Sequence, residues 1–288
     1  MYFMQRKGYN VYIRYYVTEK ENTIMKVYIS ADIEGVTGVT NWNETELDNA
    51  EHEEAAKQMT AEVLAACRGA IAAGATEIYV KDGHDSARNM LQDDFPDEVT
   101  LIRGWTNSPE SMVAGIDESF DAAIFIGYHS GAGFNGNPLS HTMNTDNNYF
   151  KINGKYAAEF DMNSYVAAYF GVPVVFMSGD LQLCEHAKEL NPAIELVAVK
   201  DGVGNATFSM SRKKACRLIE EGVQAGLAKI AACKIAEPEK YNVEINFKEC
   251  VHAYRASFYP GVEQVDARTV RYTAKDAFEM MTTRMFVL

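Results

Sequence analysis

The sequence predicts an α/β protein, with a mostly parallel sheet covered by helices on both faces and a smaller β-containing section at the C-terminus. Three observations carry that prediction. Short apolar runs alternate with longer helical patterns over residues 25–237, as successive βαβ units do. The short runs are apolar throughout rather than at alternate residues, as strands buried on both faces require. After Pro238 the pattern changes to an alternating run (YNVEINFK) and a helical tail.

Residues 26–32 (KVYISAD) read as the first strand. Residues 46–75 come next as one long helix closing near Gly74, where glycine supplies the stop. Residues 76–83 (TEIYVKDG) are the second strand, and Ser108-Pro109-Glu110 signals a helix start. Residues 121–130 (DAAIFIGYHS) are the third strand, and 156–171 a helix closed by Gly171. Residues 172–180 (VPVVFMSGD) make the fourth strand, and 181–191 a helix stopped at Asn191-Pro192. The fifth strand is 194–202, and 211–232 is another long helix. The C-terminal section takes a strand over 241–248 and a helix over 274–288. Residues 127–156, rich in glycine and asparagine, read as one long irregular loop. Loops of that length inside compact domains are usually functional or disordered, and the histidines in this one favour function.

Residues 1–24 carry charges and tyrosines throughout and no apolar core, unlike a secretory leader. They are expected to form an extension outside the fold. The expected organisation is thus 1–24 as extension, 25–237 as an α/β catalytic domain and 238–288 as an α+β section. The formal net charge is −13, which argues against nucleic-acid backbones and anionic membranes as partners. No stretch reaches the roughly 18 apolar residues that span a bilayer. The five cysteines form no CxxC pair, which suits free thiols in a reducing cytoplasm.

In open parallel sheets, ligands bind beyond the carboxyl ends of the strands. The first strand ends in Asp32 and Glu34, the second in Lys81, Asp82 and His84, the third in Tyr128 and His129. In extended chain, residues i and i+2 face one way, so Asp32 and Glu34 are expected to converge. Two carboxylates so placed repel unless a cation lies between them, and carboxylate with imidazole is a donor set for zinc or manganese. His141, in the long loop, is a candidate acid–base group, a further ligand or a bystander. Glu159, at a helix start, either complements the helix dipole or points back at the cation. Lys81 and Asp82 are candidates for orienting the ligands. Asp180 and Asp201 read as cap or turn residues. His52 and His186 read as exposed helix-face residues, and His252 as core or surface.

These segments resemble the zinc-dependent D-aminopeptidase family of the dipeptide-operon type. "SADIEG" (residues 30–35) is similar to its SxDxEG signature, and "KDGHDSARN", "IGYHS" and "LSHT" to three further segments in order. "AAEFDMNSYVAAYFGVPVVFMSGD" resembles its Gly-Glu-x-Gly-x-Asn run with the GVPV and SGD segments after it. The resemblance implies two zinc ions per subunit, held by Asp32, Glu34, His84, His129 and Glu159, with His141 catalytic as base or nucleophile. It also implies a small peptide substrate, with Asn163 a candidate contact, and a homo-oligomer built as a decameric double ring. Ala158 and Asp161 stand where the family has glycine, and Asp161 is expected to reshape the substrate pocket. The residues alone leave other binuclear hydrolases open, an amidase or a phosphoesterase using Arg88 or Arg103, and also a non-catalytic metal-binding or small-molecule-binding module.

Overall fold

A computed structural model describes residues 24–288. The expectation for the N-terminal extension therefore falls, but for Ile24, outside the described residues. In chain order the elements are β1 (Lys26–Ala31), α1 (His52–Ala72), β2 (Glu77–Asp82), β3 (Val99–Ile102), β4 (Ala122–Tyr128), β5 (Asn147–Ile152) and β6 (Lys155–Tyr156). Then come α2 (Glu159–Tyr169), β7 (Val174–Asp180), α3 (Leu181–Leu190), β8 (Glu195–Val203), β9 (Ala206–Ser209) and α4 (Arg212–Leu227). The chain ends with β10 (Tyr241–Phe247), α5 (Cys250–Ala256), β11 (Glu263–Gln264), β12 (Thr269–Ala274) and α6 (Ala277–Val287).

One sheet runs in the order β3-β2-β1-β4-β7-β8-β9. Its pairs are parallel except β8–β9, a terminal hairpin. Its two faces are apolar for the reason the sequence suggested. Val27, Ile29 and Ala31 of β1 pack with Met59, Val63 and Cys67 of α1 and Ile219 and Val223 of α4. Tyr28 and Phe125 on the opposite face pack with Phe160 and Val166 of α2 and Leu183 of α3. Beyond these lies an antiparallel sheet, β11-β12-β10-β5-β6, whose Tyr241, Val243, Ile245 and Phe247 join the same core.

Several elements depart from expectation. The long helix begins at His52, not Glu46, because Asn49 turns the chain ahead of it: its side chain accepts from Glu51 N and its carbonyl from His52 N. The Ser-Pro-Glu signal opens only a 3₁₀ turn, Ser111–Val113, ended by Gly115 at φ 90°. The loop over 127–156 contains the hairpin β5–β6, which turns on Asn153-Gly154 at φ 50° and 82°. Asn-Gly between apolar runs is the strongest short hairpin signal, and it was there to be read. β5 also pairs with β10, so the antiparallel sheet takes strands from both sides of the expected division at 237 and 238.

From β1 the chain moves outward to β2 and β3, and later returns on the other side through β4 and β7. The carboxyl ends of β1, β2 and β4 thus bracket the point where the strand order reverses, the usual ligand crevice of such sheets. Asp180 ties this end together. As N-cap of α3 it accepts from Leu183 N at 2.9 Å, and it takes Ser130 N and Oγ at 2.6 Å each. Asp180→Ala leaves those buried donors without partners and is expected to cost about 3 kcal/mol of unfolding free energy, measurable by urea denaturation.

Candidate metal centre

β1 stops at Ala31, and Asp32–Gly35 is a bend rather than strand. The bend is held against β4 by Asp32 N donating to Ile126 O and Gly35 N to Gly127 O, both at 2.8 Å. A Cβ on Gly35 would lie 1.8 Å from Tyr128 O, so only glycine allows the approach. Asp32 and Glu34 converge as expected, through this bend and not through strand alternation. Behind it, the buried Lys200 ammonium donates to Glu34 O and to Val39 O, the latter at 2.6 Å. Burial lowers Lys200 to about 8 against the pull of Asp180 and Glu34. Nothing in the sequence around Lys200 signals this role.

Three histidines face the two carboxylates, each anchored by its other nitrogen to a backbone carbonyl. Nε2 of His84 donates to Thr45 O at 3.0 Å, Nδ1 of His129 to Ser130 O at 2.9 Å, and Nδ1 of His141 to Leu139 O at 2.8 Å. Carbonyls only accept, so in the neutral rings the remaining nitrogen carries a lone pair. Those lone pairs point at acceptors. His84 Nδ1 lies 3.0 Å from Glu34 Oε2 and 3.4 Å from Asp32 Oδ1. His129 Nε2 lies 3.4 Å from both Asp32 Oδ2 and Glu159 Oε2. His141 Nε2 is farther, 3.8 Å from Glu159 Oε1 and 3.9 Å from Glu34 Oε1. Glu159 opens α2, and its Oε1 takes Met143 N at 2.7 Å.

Asp32 Oδ2, Glu34 Oε2 and His129 Nε2 are buried without a hydrogen-bond partner. Acceptors facing acceptors in a buried site are unfavourable unless a cation joins them. Donor spacings of 3.0–3.4 Å are close to the edge of a zinc tetrahedron, roughly 3.3 Å for bonds of about 2.0–2.1 Å. Asp32 belongs to two sets able to hold an ion, with Glu34 and His84 on one side and His129 and Glu159 on the other, and Glu34, His129 and His141 make a third. The residues present therefore fit a pair of zinc ions sharing Asp32.

The protein's own charges show the same demand for positive charge. Burial, then Glu34, holds the Asp32 carboxyl well above its ordinary range. Glu34, which burial would raise, is brought well below its usual value by His84. Burial would lower His129, but Glu159, Glu34 and Asp32 lift it to about 10. Glu159 falls to about 2, because His129 outweighs its burial. His141 moves the other way, lowered by burial and by the positive charge of His129.

A cavity of about 420 Å³ opens above these groups, lined also by Trp42, Glu46, Asp85, Trp105 and Met143. His141 stands at its wall, stacked on His129 with centroids 4.4 Å apart and met at its edge by Trp42 at 5.2 Å. Asn163 does not line it. That side chain is fully buried and donates to Tyr128 Oη at 3.0 Å. Arg88 and Arg103 are exposed and away from the lining, so they offer no phosphate clamp.

Two histidines read as surface are not. His52 is buried, its Nε2 3.0 Å from Asn89 Oδ1, because residues 83–90 fold over the start of α1. His186 is half-buried and bonds both oxygens of Asp161 at 2.9 Å. Asp161 also caps α2 through Ala158 N at 2.7 Å. It therefore faces away from the cavity it was expected to reshape. Asp82 accepts from Asn89 N and Nδ2 and from Met90 N, and the Lys81 ammonium donates to Asp82 O and Gly104 O. Both hold the segment carrying His84. Asp201 precedes the β8–β9 turn at Gly204, and His252 is partly exposed near Asp146.

Comparison with known proteins gives three consistent findings. The model of a family described as D-aminopeptidase matches residues 25–286. A D-aminopeptidase of Bacillus subtilis (strain 168) is 33% identical over 258 residues, covering 88% of this chain and 93% of that protein. The structure of the Zn-dependent D-aminopeptidase DppA from Bacillus subtilis, a self-compartmentalizing protease, superposes with a TM-score of 0.86 at 31% identity, covering 91% of this chain and 96% of that one.

Proposed function

The chain belongs to the D-aminopeptidase family, and from that premise we propose that it is a binuclear zinc aminopeptidase acting on short peptides or aminoacyl amides with a D-residue at the amino end. The observation that carries the reading is the pair of donor sets sharing Asp32, in which Asp32 Oδ2, Glu34 Oε2 and His129 Nε2 are buried with no hydrogen-bond partner. Glu34 and His84 would hold one ion, His129 and Glu159 the other, and Asp32 both. Zinc, when bound, polarises a carbonyl and lowers the pKa of water toward neutrality.

His141 is the proton-handling residue in this reading. Its Nδ1–H is committed to Leu139 O, so Nε2 is the free base, on the cavity lining and toward Glu34 and Glu159. It is more exposed than the five ligands and farther from the carboxylates, which favours substrate over metal as its partner, although with Glu34 and His129 it also makes a group able to hold an ion. Burial lowers its pKa and so favours the neutral ring, whose Nε2 accepts a proton from the attacking water and returns it to the departing amine. The 420 Å³ cavity is of a size for a short peptide end. Trp42 and His129 fix the ring between them.

DppA is a self-compartmentalizing protease, and we extend that likeness to a homo-oligomer here, with a decameric double ring as its form and the cytoplasm as its compartment. No helix among the described residues is long and apolar enough to cross a membrane. Native mass spectrometry is expected to give ten chains; a monomer would remove the ring. A matched pair of D- and L-alaninamide assays tests the substrate. The D form is expected to turn over at least about 10-fold faster, about 1.4 kcal/mol of transition-state discrimination. Equal rates would exclude D-selectivity.

A further inference from the structure

We propose that His52 is a positioning residue which, through Asn89, holds residues 83–90 so that the lone pair of His84 stays aimed at Asp32 and Glu34. The inference rests on the reading of these residues as a metal centre, and it assigns a function to a buried histidine that the chemistry above does not use.

Residues 83–90 do not hold their shape by backbone preference. Asp85 and Ala87 sit at φ 37° and 53°, conformations that an L-residue such as alanine adopts only when its surroundings impose them. Asn89 supplies part of that imposition, beside Ala87 N donating to His84 O at 2.7 Å, Gly104 N to Ala87 O at 2.9 Å and Trp105 Nε1 to Asp85 O at 2.6 Å. Its Nδ2 donates to His84 O at 2.8 Å and to Asp82 Oδ1 at 2.9 Å, and its backbone N to Asp82 Oδ2 at 2.6 Å. Both amide hydrogens are thereby spent, so Oδ1 can only accept, and the donor is His52 Nε2–H at 3.0 Å. His52 and Asn89 are both buried, and no other side chain donates to that oxygen among the described residues.

The chain of contacts runs from the first residue of α1, through one amide, to the carbonyl of the ligand itself. The His84 ring is fixed independently at Nε2 by Thr45 O, just ahead of α1. Ring and backbone of His84 are thus both referred to the same end of one helix. No comparable link joins His52 to His129 or Glu159 among the described residues, so the effect of losing it should fall on one ion of the two. Groups that orient a ligand from outside typically change metal affinity by about 10- to 100-fold.

The test is Co2+ titration of the metal-free full chain, monitored by visible absorption. The unaltered protein should show two sites. His52→Leu, which keeps bulk and removes the donor, should weaken one site about 10- to 100-fold and leave the other unchanged. His52→Gln, whose amide can donate from a similar reach, should restore the weakened site. Unaltered binding in a folded His52→Leu protein would overturn the proposal, as would failure of His52→Gln to restore affinity. Should His52→Leu not fold, His52→Gln is compared with His52→Asn, which is one methylene too short to reach Asn89. Equal affinities in those two would overturn the proposal. An unaltered protein that binds no Co2+ would overturn the metal centre itself, a result distinct from two intact sites in the variants.

Discussion

Replacing Asp32 with alanine is expected to remove both metal ions and to lower turnover by at least about 10³-fold, some 4 kcal/mol of transition-state stabilisation. The reason is geometric. Oδ1 of Asp32 faces His84 and Oδ2 faces His129, so one side chain serves both donor sets. His84→Ala should instead lose one ion, because Asp32, His129 and Glu159 stay together without it. Asp32 is 2% exposed and crowded by Glu34, so its removal relieves repulsion when no metal is present. The Asp32→Ala chain should therefore fold, and its metal-free form should be no less stable than the metal-free parent. Zinc content by atomic emission, with thermal melts of both forms, checks each part. Retention of two ions by Asp32→Ala would place the metals elsewhere.

His141→Ala is expected to behave in the opposite way, keeping its zinc and losing about 10²- to 10⁴-fold in kcat, the range of a positioned acid–base group. The pH profile sharpens this. His141 acts as a base only when neutral. Burial holds its pKa below the ordinary imidazole value, and a cation bound alongside would push it the same way. Falling pH therefore protonates it late, and kcat should decline only at a pH below the range in which an ordinary imidazole titrates. In His141→Ala that acid limb should vanish while the residual rate is measured at constant zinc. Loss of zinc in this variant would make His141 a ligand rather than the proton carrier.

Much of the centre was legible in the sequence, for a definite reason. Asp32, Glu34, His84 and His129 come directly after apolar strands, and strand ends in a parallel sheet converge. Glu159 and His141 were not legible in that way. One opens a helix and the other lies in a loop, and their approach depends on how the segment 139–145 folds back. The residues alone left each of them open between a role at the site and none, and only resemblance to a family chose a role for them. The misreading of His52 has the same origin. Helical periodicity describes which face of α1 looks away from the sheet, but not that residues 83–90 cross over that face. Asp161 was drawn toward the cavity by its nearness to Glu159 in sequence, yet two positions along a helix point about 200° apart, and it turns to His186 instead. In the fold, the parallel sheet was evident from its apolar strands. β5 and β6 were absorbed into the glycine- and asparagine-rich stretch around them although Asn153-Gly154 marked their turn, and β12 was passed over because its alternation comes after a run of turn residues.

The most direct test is the zinc content of the purified protein, measured alongside its turnover of D-alaninamide before and after chelation. Two zinc ions per chain are expected, with turnover lost on chelation and recovered when zinc is returned. Undiminished turnover in a chain stripped of metal would contradict the account.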